Sequence, residues 1–433
     1  MAGLYLHIPF CRKACTYCDF HFSTSLDRRP ALLDAMRREL AERASELEGP
    51  LGTIYFGGGT PSLLEPTEIE AFLEQARQLF RVEGDAEVTL EANPDDITPE
   101  RLAQWKALGI TRLSLGTQSF REDRLTWMGR AHNAEQALRS IDLIAAAGFR
   151  TWTIDLIYGL PNMTLAEWDE QLTIALDRGM PHLSAYCLTV EPRTALAHQV
   201  SKRLVTMPGD DAQSAQFDRL MERMEQAGLV HYEISNFGLP GHFSRHNTSY
   251  WEGVPYLGIG PSAHSYDGRR RRWNVANNAR YITALLEGTP YGEEELLTPA
   301  QRTNELLLTG LRTIAGVRIE QLELDALALN RKAAEAHMQR GHLLVKDGRL
   351  VLSRAGRHFA DRIASDLFLD PDGMHETARR RVENSKDDCD KLLAAGADGF
   401  ILCSDYCTND GPFVSPPQFD EFIAPYLKEA VAA

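Results

Sequence analysis

The stretch "CRKACTYCDF", residues 11–20, holds three of the chain's seven cysteines, spaced as Cys11, Cys15 and Cys18. So tight a group in a chain with few cysteines is typical of a metal site and not of a disulfide framework. Structural zinc takes four protein ligands, and the only nearby candidate for the fourth is His21. Three thiolates fit a four-iron cluster better, because each binds one iron and leaves one iron open. A zinc site stays open as the alternative.

Length and composition narrow the class of protein. The chain has 433 residues, of which 43% are hydrophobic, so we expect a large core and two or more domains. A formal net charge of −15 argues against a broad surface for nucleic acid or anionic lipid. No run of about 18 apolar residues occurs, and the N-terminus lacks the pattern of a signal peptide. We expect a cytoplasmic protein with no integral membrane segment and no nucleic-acid partner.

Six segments are rich in β-branched and aromatic residues and apolar at consecutive positions, as strands buried on both faces are. Helical patterns such as residues 31–47 and 133–149 separate them. This alternation predicts an α/β fold with a parallel sheet and right-handed crossovers. We interpret it as a partial six-strand (β/α) barrel over residues 1–240. The predicted strands are 4–10, 53–59, 87–93, 112–118, 150–161 and 182–190.

Polar residues follow these strands at their carboxyl ends, where the chemistry of such barrels is found. The segment "GGGTP" (57–61) closes the second strand, and its glycines let a ligand approach the backbone closely. For each polar residue alone, a structural hydrogen bond is an equal alternative, but convergence on one rim favours a ligand. The candidates are Thr60, Glu91, Gln118, Arg130 and Asp155.

A CxxxCxxC motif directly after a first strand resembles the signature of the radical S-adenosylmethionine superfamily. The resemblance implies that Cys11, Cys15 and Cys18 hold a [4Fe-4S] cluster. The open iron of that cluster would chelate the amino and carboxylate groups of S-adenosylmethionine, and one electron would break a carbon–sulfur bond of this ligand. We therefore expect an electron donor among the partners.

Further motifs resemble the oxygen-independent coproporphyrinogen oxidase family over about residues 1–370. They are "YLHIPFCRKACTYCDF", "FGGGTPSLL", "LEANP", "RLSLGTQSF" and "IDLIYGLP". The oxidases carry a fourth cysteine two residues after the third, and here that position is Phe20. This departure argues against oxidase activity. The resemblance implies that S-adenosylmethionine contacts Tyr5, Tyr17, Gly58, Gly59, Thr60, Glu91, Gln118, Arg130 and Asp155.

The segment "HNTSYW" (246–251) resembles the HNxxYW motif of the heme chaperones, a branch of that family. An imidazole can ligate heme iron, and aromatic rings can cover a porphyrin face. The candidate heme residues are His246, Asn247, Tyr250 and Trp251. A loop histidine beside a packed Tyr–Trp pair is the alternative. The arginines of "GRRRRW" (268–273) would suit heme propionates, although such a run is more often a solvated face.

The remainder of the chain predicts further segments. We expect a connecting segment over 241–280 that contains HNxxYW, followed by a small winged-helix-like domain over 281–370. In that domain "LLVKDGRLVLS" predicts a hairpin with an Asp347–Gly348 turn. An extra βα tail, residues 371–433, resembles a fragment of the uroporphyrinogen decarboxylase family. It is too short for a complete barrel of that kind.

Two functions follow from the resemblance. The first is a heme chaperone that binds a [4Fe-4S] cluster, S-adenosylmethionine and heme, and delivers heme to apo-hemoproteins. The alternative is the oxidase, which decarboxylates two propionates of coproporphyrinogen III by radical hydrogen abstraction. We prefer the chaperone because Phe20 and HNxxYW occur in one chain. A structural protein that binds zinc is a third, weaker possibility.

Overall fold

A computed structural model describes residues 1–322 and 330–369, together with residue 327 and two short strands near the C-terminus. The chain divides into two compact units, Met1–Leu296 and Leu297–Ala433. The tail that we predicted over 371–433 lies outside the described residues, except for the paired strands Cys407–Thr408 and Gly411–Pro412.

Six consecutive parallel strands form the centre of the first unit, in the order in which they occur along the chain. Each pairs in parallel with the next, and every predicted strand overlaps one of them, which confirms the α/β prediction. Their side chains are mostly buried, as expected for strands covered on both faces. The strands are β1 Ala2–Ile8, β2 Leu51–Gly58, β3 Val82–Ala92, β4 Arg112–Gln118, β5 Thr151–Tyr158 and β6 His182–Cys187.

Helices connect the parallel strands, and the sequence marks where they begin and end. Asn133 caps α5 by accepting a hydrogen bond from the Gln136 backbone N–H, and Gly148 ends that helix in the left-handed conformation. The apolar side of each longer helix packs into the core. These helices are α1 Arg29–Arg43, α2 Pro66–Leu79, α3 Pro99–Leu108, α4 Glu122–Met128, α5 Ala134–Ala147 and α6 Leu165–Asp177.

The sheet extends beyond the six predicted strands at both edges. On one side β8 pairs antiparallel with β6, and β7 pairs antiparallel with β8. On the other side β9 pairs in parallel with β1 and leads into β10, β11 and β12. Both edges of the parallel sheet offer unpaired backbone groups, and these strands satisfy them. The added elements are α7 Ala195–Ser201, α8 Asp210–Gln226, β7 Val230–Glu233, β8 Asn236–Gly238, α9 Arg245–Trp251, β9 Tyr256–Ile259, β10 His264–Tyr266, β11 Arg270–Asn274, α10 Asn278–Glu287 and β12 Gly292–Leu296.

The predicted connecting segment 241–280 therefore contributes strands to the sheet of the first unit, which runs to Leu296. The basic run 268–273 is also placed by pairing. It enters β11, which lies antiparallel to the acidic strand β12, and Arg270 forms an ion pair with Glu294 at 3.1 Å.

The second unit contains helices and a three-stranded antiparallel sheet, a winged-helix-like arrangement. The predicted hairpin is confirmed: Asp347 and Gly348 both have positive φ, at 50° and 72°, as a two-residue type I′ turn requires. A small core of its own includes Leu307, Leu343 and Ile363. Its elements are α11 Pro299–Gly310, β13 Val317–Arg318, α12 Arg331–Gln339, β14 Leu343–Lys346, β15 Arg349–Leu352 and α13 Ala360–Asp366, with the strand pair β16 Cys407–Thr408 and β17 Gly411–Pro412 further on.

Among the helices that the structure describes, none combines the length and the apolar character needed to cross a membrane.

Candidate functional site

A cavity of about 580 Å³ lies at the carboxyl ends of the parallel strands. Its volume is in the range of about 300–1,000 Å³ that is usual for small-molecule and cofactor sites. The structure brings eleven predicted site residues, the three cysteines among them, together at this one place. Those that line the cavity are Cys11, Cys15, Tyr17, Cys18, Gly58, Gly59, Thr60, Glu91, Gln118, Arg130 and Asp155.

The cysteine loop follows β1 and is fixed by backbone hydrogen bonds to neighbouring loops. The N–H of Cys11 donates to the carbonyl of Ser23 at 3.0 Å, and the N–H of Thr16 donates to the carbonyl of Met128 at 3.0 Å. The N–H of Leu196 in turn donates to the carbonyl of Thr16 at 2.8 Å. These hydrogen bonds therefore fix the position of the loop at the carboxyl end of the sheet.

The three cysteines are free thiols. Burial raises the pKa of Cys11, and it raises the pKa of Cys18 to about 11. Bound iron would reverse this, because a coordinating thiol loses its proton. Across residues 1–322 and 330–369, no three His, Cys, Asp or Glu side chains are arranged to hold a single metal ion. Thiolates that each bind a different iron of a cluster need not converge on one point, so the donor set fits the cluster.

Two polar side chains hold the cysteine sulfurs in place. Thr60 Oγ1 lies 3.6 Å from Cys11 Sγ, and Arg130 Nη1 donates to Cys15 Sγ at 3.3 Å. The other end of the Arg130 guanidinium donates to Asn93 Oδ1 at 2.7 Å and to the carbonyl of Gly116 at 2.8 Å. Arg130 thus ties the cysteine loop to the ends of β3 and β4.

The glycine triplet after β2 forms a close backbone cradle. Gly58 has a φ of 110°, and a Cβ there would lie 2.7 Å from the ring of His7. A Cβ on Gly59 would lie 2.6 Å from the carbonyl oxygen of Phe10, so a larger residue would displace the start of the cysteine loop. Both glycines are required by geometry.

Glu91 is a carboxylate held in the cavity wall by two donors. The hydroxyl of Tyr55 donates to its Oε1 at 2.7 Å, and the N–H of Gly58 donates to its Oε2 at 3.1 Å. Burial nevertheless raises the pKa of Glu91 to about 7, and burial raises the pKa of Asp155 to about 6. The charges of Arg112 and Arg130 oppose the rise in the pKa of Asp155 without cancelling it, so both acids would gain from a ligand that brings positive charge.

Unsatisfied polar groups mark the same cavity. Gln118 Oε1 and Arg130 Nε are buried without a hydrogen-bond partner. Gln118 also has a φ of 65°, a strained conformation for a residue other than glycine, of the kind concentrated at functional sites. Donors, acceptors, carboxylates and an exposed backbone therefore remain available to an amino-acid-like ligand.

Tyr5, the other predicted contact of S-adenosylmethionine, does not line the cavity. Its hydroxyl lies 3.0 Å from His7 Nδ1, and its ring packs within the sheet, 6.0 Å from the ring of Tyr55 and 6.3 Å from that of His246. Tyr5 therefore lies behind the residues that face the cavity.

The predicted heme residues lie near the opposite, amino ends of the strands. His246 is 1% exposed; its Nδ1 lies 2.8 Å from Thr53 Oγ1, and its Nε2 lies 2.7 Å from the hydroxyl of Tyr250. Burial lowers the pKa of His246 to about 3. The Glu87 carboxylate accepts from the N–H groups of Arg245 and His246, which anchors the first turn of α9. Both imidazole nitrogens are thus engaged within the protein.

The other two residues of HNxxYW are also placed by packing. The N–H of Asn247 donates to Ser244 Oγ at 3.3 Å, the capping bond of α9. The ring of Trp251 lies 5.9 Å from that of Tyr232. The motif therefore closes the amino end of the sheet.

Several side chains in or beside the cavity were missed by sequence reasoning. Asn93 and Tyr55 position Arg130 and Glu91, and Asn93 lies within the quoted motif "LEANP", only two residues after Glu91. Alternation along β3 was a signal that could have included it. The residues missed on the cavity wall also include Lys13, Phe22, Ser114 and Tyr186.

The chain matches the family model of the radical SAM superfamily over residues 5–173. This span contains the cysteine loop, the glycine cradle and the two buried acids of the cavity. Fold and site together define a radical S-adenosylmethionine protein.

Relatives narrow the family further. The chain is 37% identical over 373 residues to the heme chaperone HemW of Mycobacterium tuberculosis H37Rv, which covers 84% of this chain and 94% of that protein. It is 35% identical over 378 residues to the heme chaperone HemW of Escherichia coli K12, with 85% of this chain and 98% of that protein covered. The chain belongs to the HemW family of radical SAM heme chaperones.

A solved structure shows the same fold. Coproporphyrinogen III oxidase (HemN) from Escherichia coli, a radical SAM enzyme, superposes with a TM-score of 0.73 over 85% of this chain and 90% of that chain. The two are 23% identical, so this likeness concerns the fold alone.

Proposed function

We propose that the protein binds a [4Fe-4S] cluster, S-adenosylmethionine and heme, and delivers heme to apo-hemoproteins in the cytoplasm. The observation that carries the first part is the juxtaposition of three thiols with a polar cavity that contains unsatisfied groups and two buried acids. Family membership supports the second part.

The residues of the cavity have distinct roles in this proposal. Cys11, Cys15 and Cys18 would hold the cluster, which supplies an open coordination site and one electron when bound. Arg130 orients Cys15 and screens the negative charge of the thiolates. Glu91, held by Tyr55 and Gly58, would accept a hydrogen bond from the ligand's ammonium group.

Phe20 supports the chaperone over the oxidase. Its side chain is 67% exposed and lines the cavity beside the cysteine loop, at the position where the oxidases place another cysteine. A phenyl ring supplies no ligand atom and no acid–base group at that point. We therefore propose that the cavity lacks a group that porphyrinogen turnover needs.

His246, Asn247, Tyr250 and Trp251 stay predicted heme residues. For His246 to ligate iron, one of its ring nitrogens would have to give up its hydrogen bond, either Nδ1 to Thr53 or Nε2 to Tyr250. The buried HNxxYW segment would then have to become accessible when heme binds.

The function is tested with anaerobically reconstituted protein in two parallel assays. In the first, the heme-loaded protein is mixed with an apo-hemoprotein, and heme transfer is followed by the absorption spectrum of the acceptor. In the second, coproporphyrinogen III, S-adenosylmethionine and a reductant are added, with the oxidase from Escherichia coli as the positive control. We expect transfer and no decarboxylation. Steady formation of protoporphyrinogen IX would establish the oxidase function instead.

A further inference from the structure

The segment 239–255 crosses the amino end of the parallel sheet. It leaves β8, which pairs with β6, and enters β9, which pairs with β1, so it connects the two edges of the six-strand sheet. The helix α9 lies in the middle of this crossing. Gly241 and Gly253 flank α9, and both have positive φ, at 86° and 68°. Glycine adopts such conformations without strain, so both positions are suited to act as hinges.

Two acidic residues of β3 hold the first turn of α9 against the sheet. Glu87 is 5% exposed, and its Oε1 and Oε2 accept from the N–H groups of His246 and Arg245, at 3.0 and 3.1 Å. Asp85 accepts from Arg245 Nη1 at 2.7 Å through its carbonyl and at 3.2 Å through its carboxylate. The strand β3 therefore fixes the two residues at which α9 begins.

This closed arrangement competes with heme for His246. The iron of heme cannot reach either ring nitrogen while His246 is 1% exposed and bonded to both Thr53 and Tyr250. The ring also stacks on that of Tyr55, with centroids 4.8 Å apart. A ligand that binds a minor conformation has its apparent affinity lowered by the fraction of that conformation. Each contact that holds α9 on the sheet therefore weakens heme binding.

We propose that α9 is a latch on the heme ligand and that Glu87 holds this latch closed. The inference rests on the proposed function, because it specifies how the site at HNxxYW is regulated. When heme binds, α9 turns away from the sheet about Gly241 and Gly253, and its two N–H groups leave Glu87. His246 then ligates iron, and no electron is transferred. Return of α9 to Glu87 favours dissociation of heme, which delivery to an acceptor requires.

Heme titration of the full-length protein tests the latch. In Glu87→Gln the amide oxygen can accept from one of the two N–H groups, but the amide NH₂ cannot accept from the other. We expect the apparent Kd for heme to fall about tenfold, because hydrogen bonds are lost from the closed form only. A residue that only stabilised the fold, or that oriented His246 in the heme complex, would leave this Kd unchanged or raise it. Either result would overturn the proposal.

The matched control is Glu167→Gln. The Glu167 side chain is 10% exposed, and its two carboxylate oxygens accept from Arg124 Nε and Nη2, each at 2.7 Å. This variant therefore disturbs a largely buried carboxylate on α6, away from α9, and its Kd for heme should match that of the wild type. An equal fall in both variants would indicate a general loosening of the protein, and the latch would be wrong.

A surface variant and a measurement without heme make the test independent of these two buried sites. The Asp85 side chain is 67% exposed, so Asp85→Asn should fold normally. This variant should lower the Kd for heme by about twofold, the effect of a weak surface ion pair. In the heme-free protein, the amides of residues 244–251 should exchange hydrogen faster in Glu87→Gln than in the wild type or Glu167→Gln. Unaltered exchange in Glu87→Gln would contradict the latch.

The titration also separates failure of the latch from failure of the proposed function. If the wild type bound no heme, the proposed function would fail and the latch with it. If the wild type bound heme and Glu87→Gln bound it with the same Kd, the proposed function would stand and the latch alone would be wrong. Tighter binding in Glu87→Gln, with faster exchange in α9, is the result that we expect.

Discussion

The cavity at the carboxyl end of the parallel sheet and the HNxxYW segment at its amino end differ in how far their polar groups are satisfied. At the carboxyl end, Gln118 Oε1 and Arg130 Nε have no partner, and two carboxyls have raised pKa values. At the amino end, both nitrogens of His246 are bonded, and the Glu87 carboxylate accepts two N–H groups. Unmet buried groups cost free energy, so a fold retains them where a ligand completes them.

A sequence motif that suggests a ligand therefore need not face an open cavity. The CxxxCxxC and HNxxYW motifs both suggest ligands, but of these two only CxxxCxxC faces a cavity whose wall contains polar groups without hydrogen-bond partners. The second packs against Thr53 and Tyr55, with the Tyr55 ring 4.8 Å from the His246 ring. In the described conformation, the histidine of HNxxYW is buried and fully hydrogen-bonded at the amino end of the sheet.

The largest effect is expected from the cysteines. Cys11→Ala, Cys15→Ala and Cys18→Ala should each abolish stable iron binding and the brown absorbance, because none of the three thiolates has a substitute. Iron and sulfide analysis after anaerobic reconstitution measures this. The control is Cys187→Ala, a change at a cysteine on the same cavity wall but outside the loop, which should retain iron. Full iron content in Cys18→Ala would contradict the assignment. The remaining cysteines, Cys389, Cys403 and Cys407, should also be dispensable.

The next effect concerns the packed end. His246→Ala removes a buried ring and leaves Thr53 and Tyr250 without partners, so we expect a loss of roughly 2–4 kcal/mol in the free energy of unfolding. Chemical denaturation measures it. Asn247→Ala, one residue along the same helix, should cost less than about 1 kcal/mol. Equal losses in the two variants would show that the hydrogen bonds of His246 are not what secures α9.

A smaller effect is expected at Glu91. Glu91→Gln keeps the shape but removes the negative charge, so S-adenosylmethionine should bind more weakly by roughly 1–3 kcal/mol. Asp155→Ala should weaken it over the same range. Calorimetric titration of reconstituted protein measures both. Glu65→Gln, a change at an exposed carboxylate that caps α2, provides the control and should leave the affinity unchanged. Unchanged affinity in Glu91→Gln would separate this carboxylate from the ligand.

The same carboxyl should influence stability through pH. Because burial raises the pKa of Glu91 from 4.5 to about 7, the folded, ligand-free protein holds a proton that the unfolded chain releases. The stabilising contribution of this proton is complete below the unfolded pKa of 4.5, and it is lost as the pH rises through the folded pKa of about 7. Thermal melts between about pH 5 and about pH 8 should show a shallower decline in Glu91→Gln than in the wild type. Parallel profiles would contradict the raised pKa.

The smallest effect is expected from removing the tail. Truncation after Asp370 should leave iron, heme and S-adenosylmethionine binding unchanged, because the cavity at the cysteine loop and the HNxxYW segment both belong to the first unit, Met1–Leu296. Reconstitution of the truncated and full-length proteins side by side measures this. Loss of ligand binding in soluble truncated protein would show that the tail contributes to a site.

Much of the fold could be predicted because its central strands are buried on both faces. Such strands appear in the sequence as continuous runs of apolar residues. The added edge could not, since β10 has only three residues and β11 is an arginine run whose partners on β12 are distant in sequence. Pairing with neighbours, and not local pattern, makes these segments strands.

The candidate site was predictable where a polar residue lies in the carboxyl-terminal half of a strand, as Glu91 and Asp155 do. Alternation alone could not tell that Tyr5 lies one layer behind the cavity or that Tyr55 supports Glu91. The side of the sheet that α9 covers also depends on Glu87, which is 158 residues away from Arg245. Such contacts are set by the tertiary fold.

We propose that the cysteine loop holds a [4Fe-4S] cluster with one iron open to S-adenosylmethionine. Electron paramagnetic resonance of the reduced, reconstituted protein, recorded before and after addition of S-adenosylmethionine, tests it most directly. We predict the signal of a reduced [4Fe-4S] cluster, and we expect S-adenosylmethionine to alter it in the wild type. Adenosine at the same concentration should leave the signal unaltered, because it lacks the methionine moiety that would bind the open iron. A signal that S-adenosylmethionine leaves unchanged, or a protein that retains zinc and shows no cluster signal, would contradict the account.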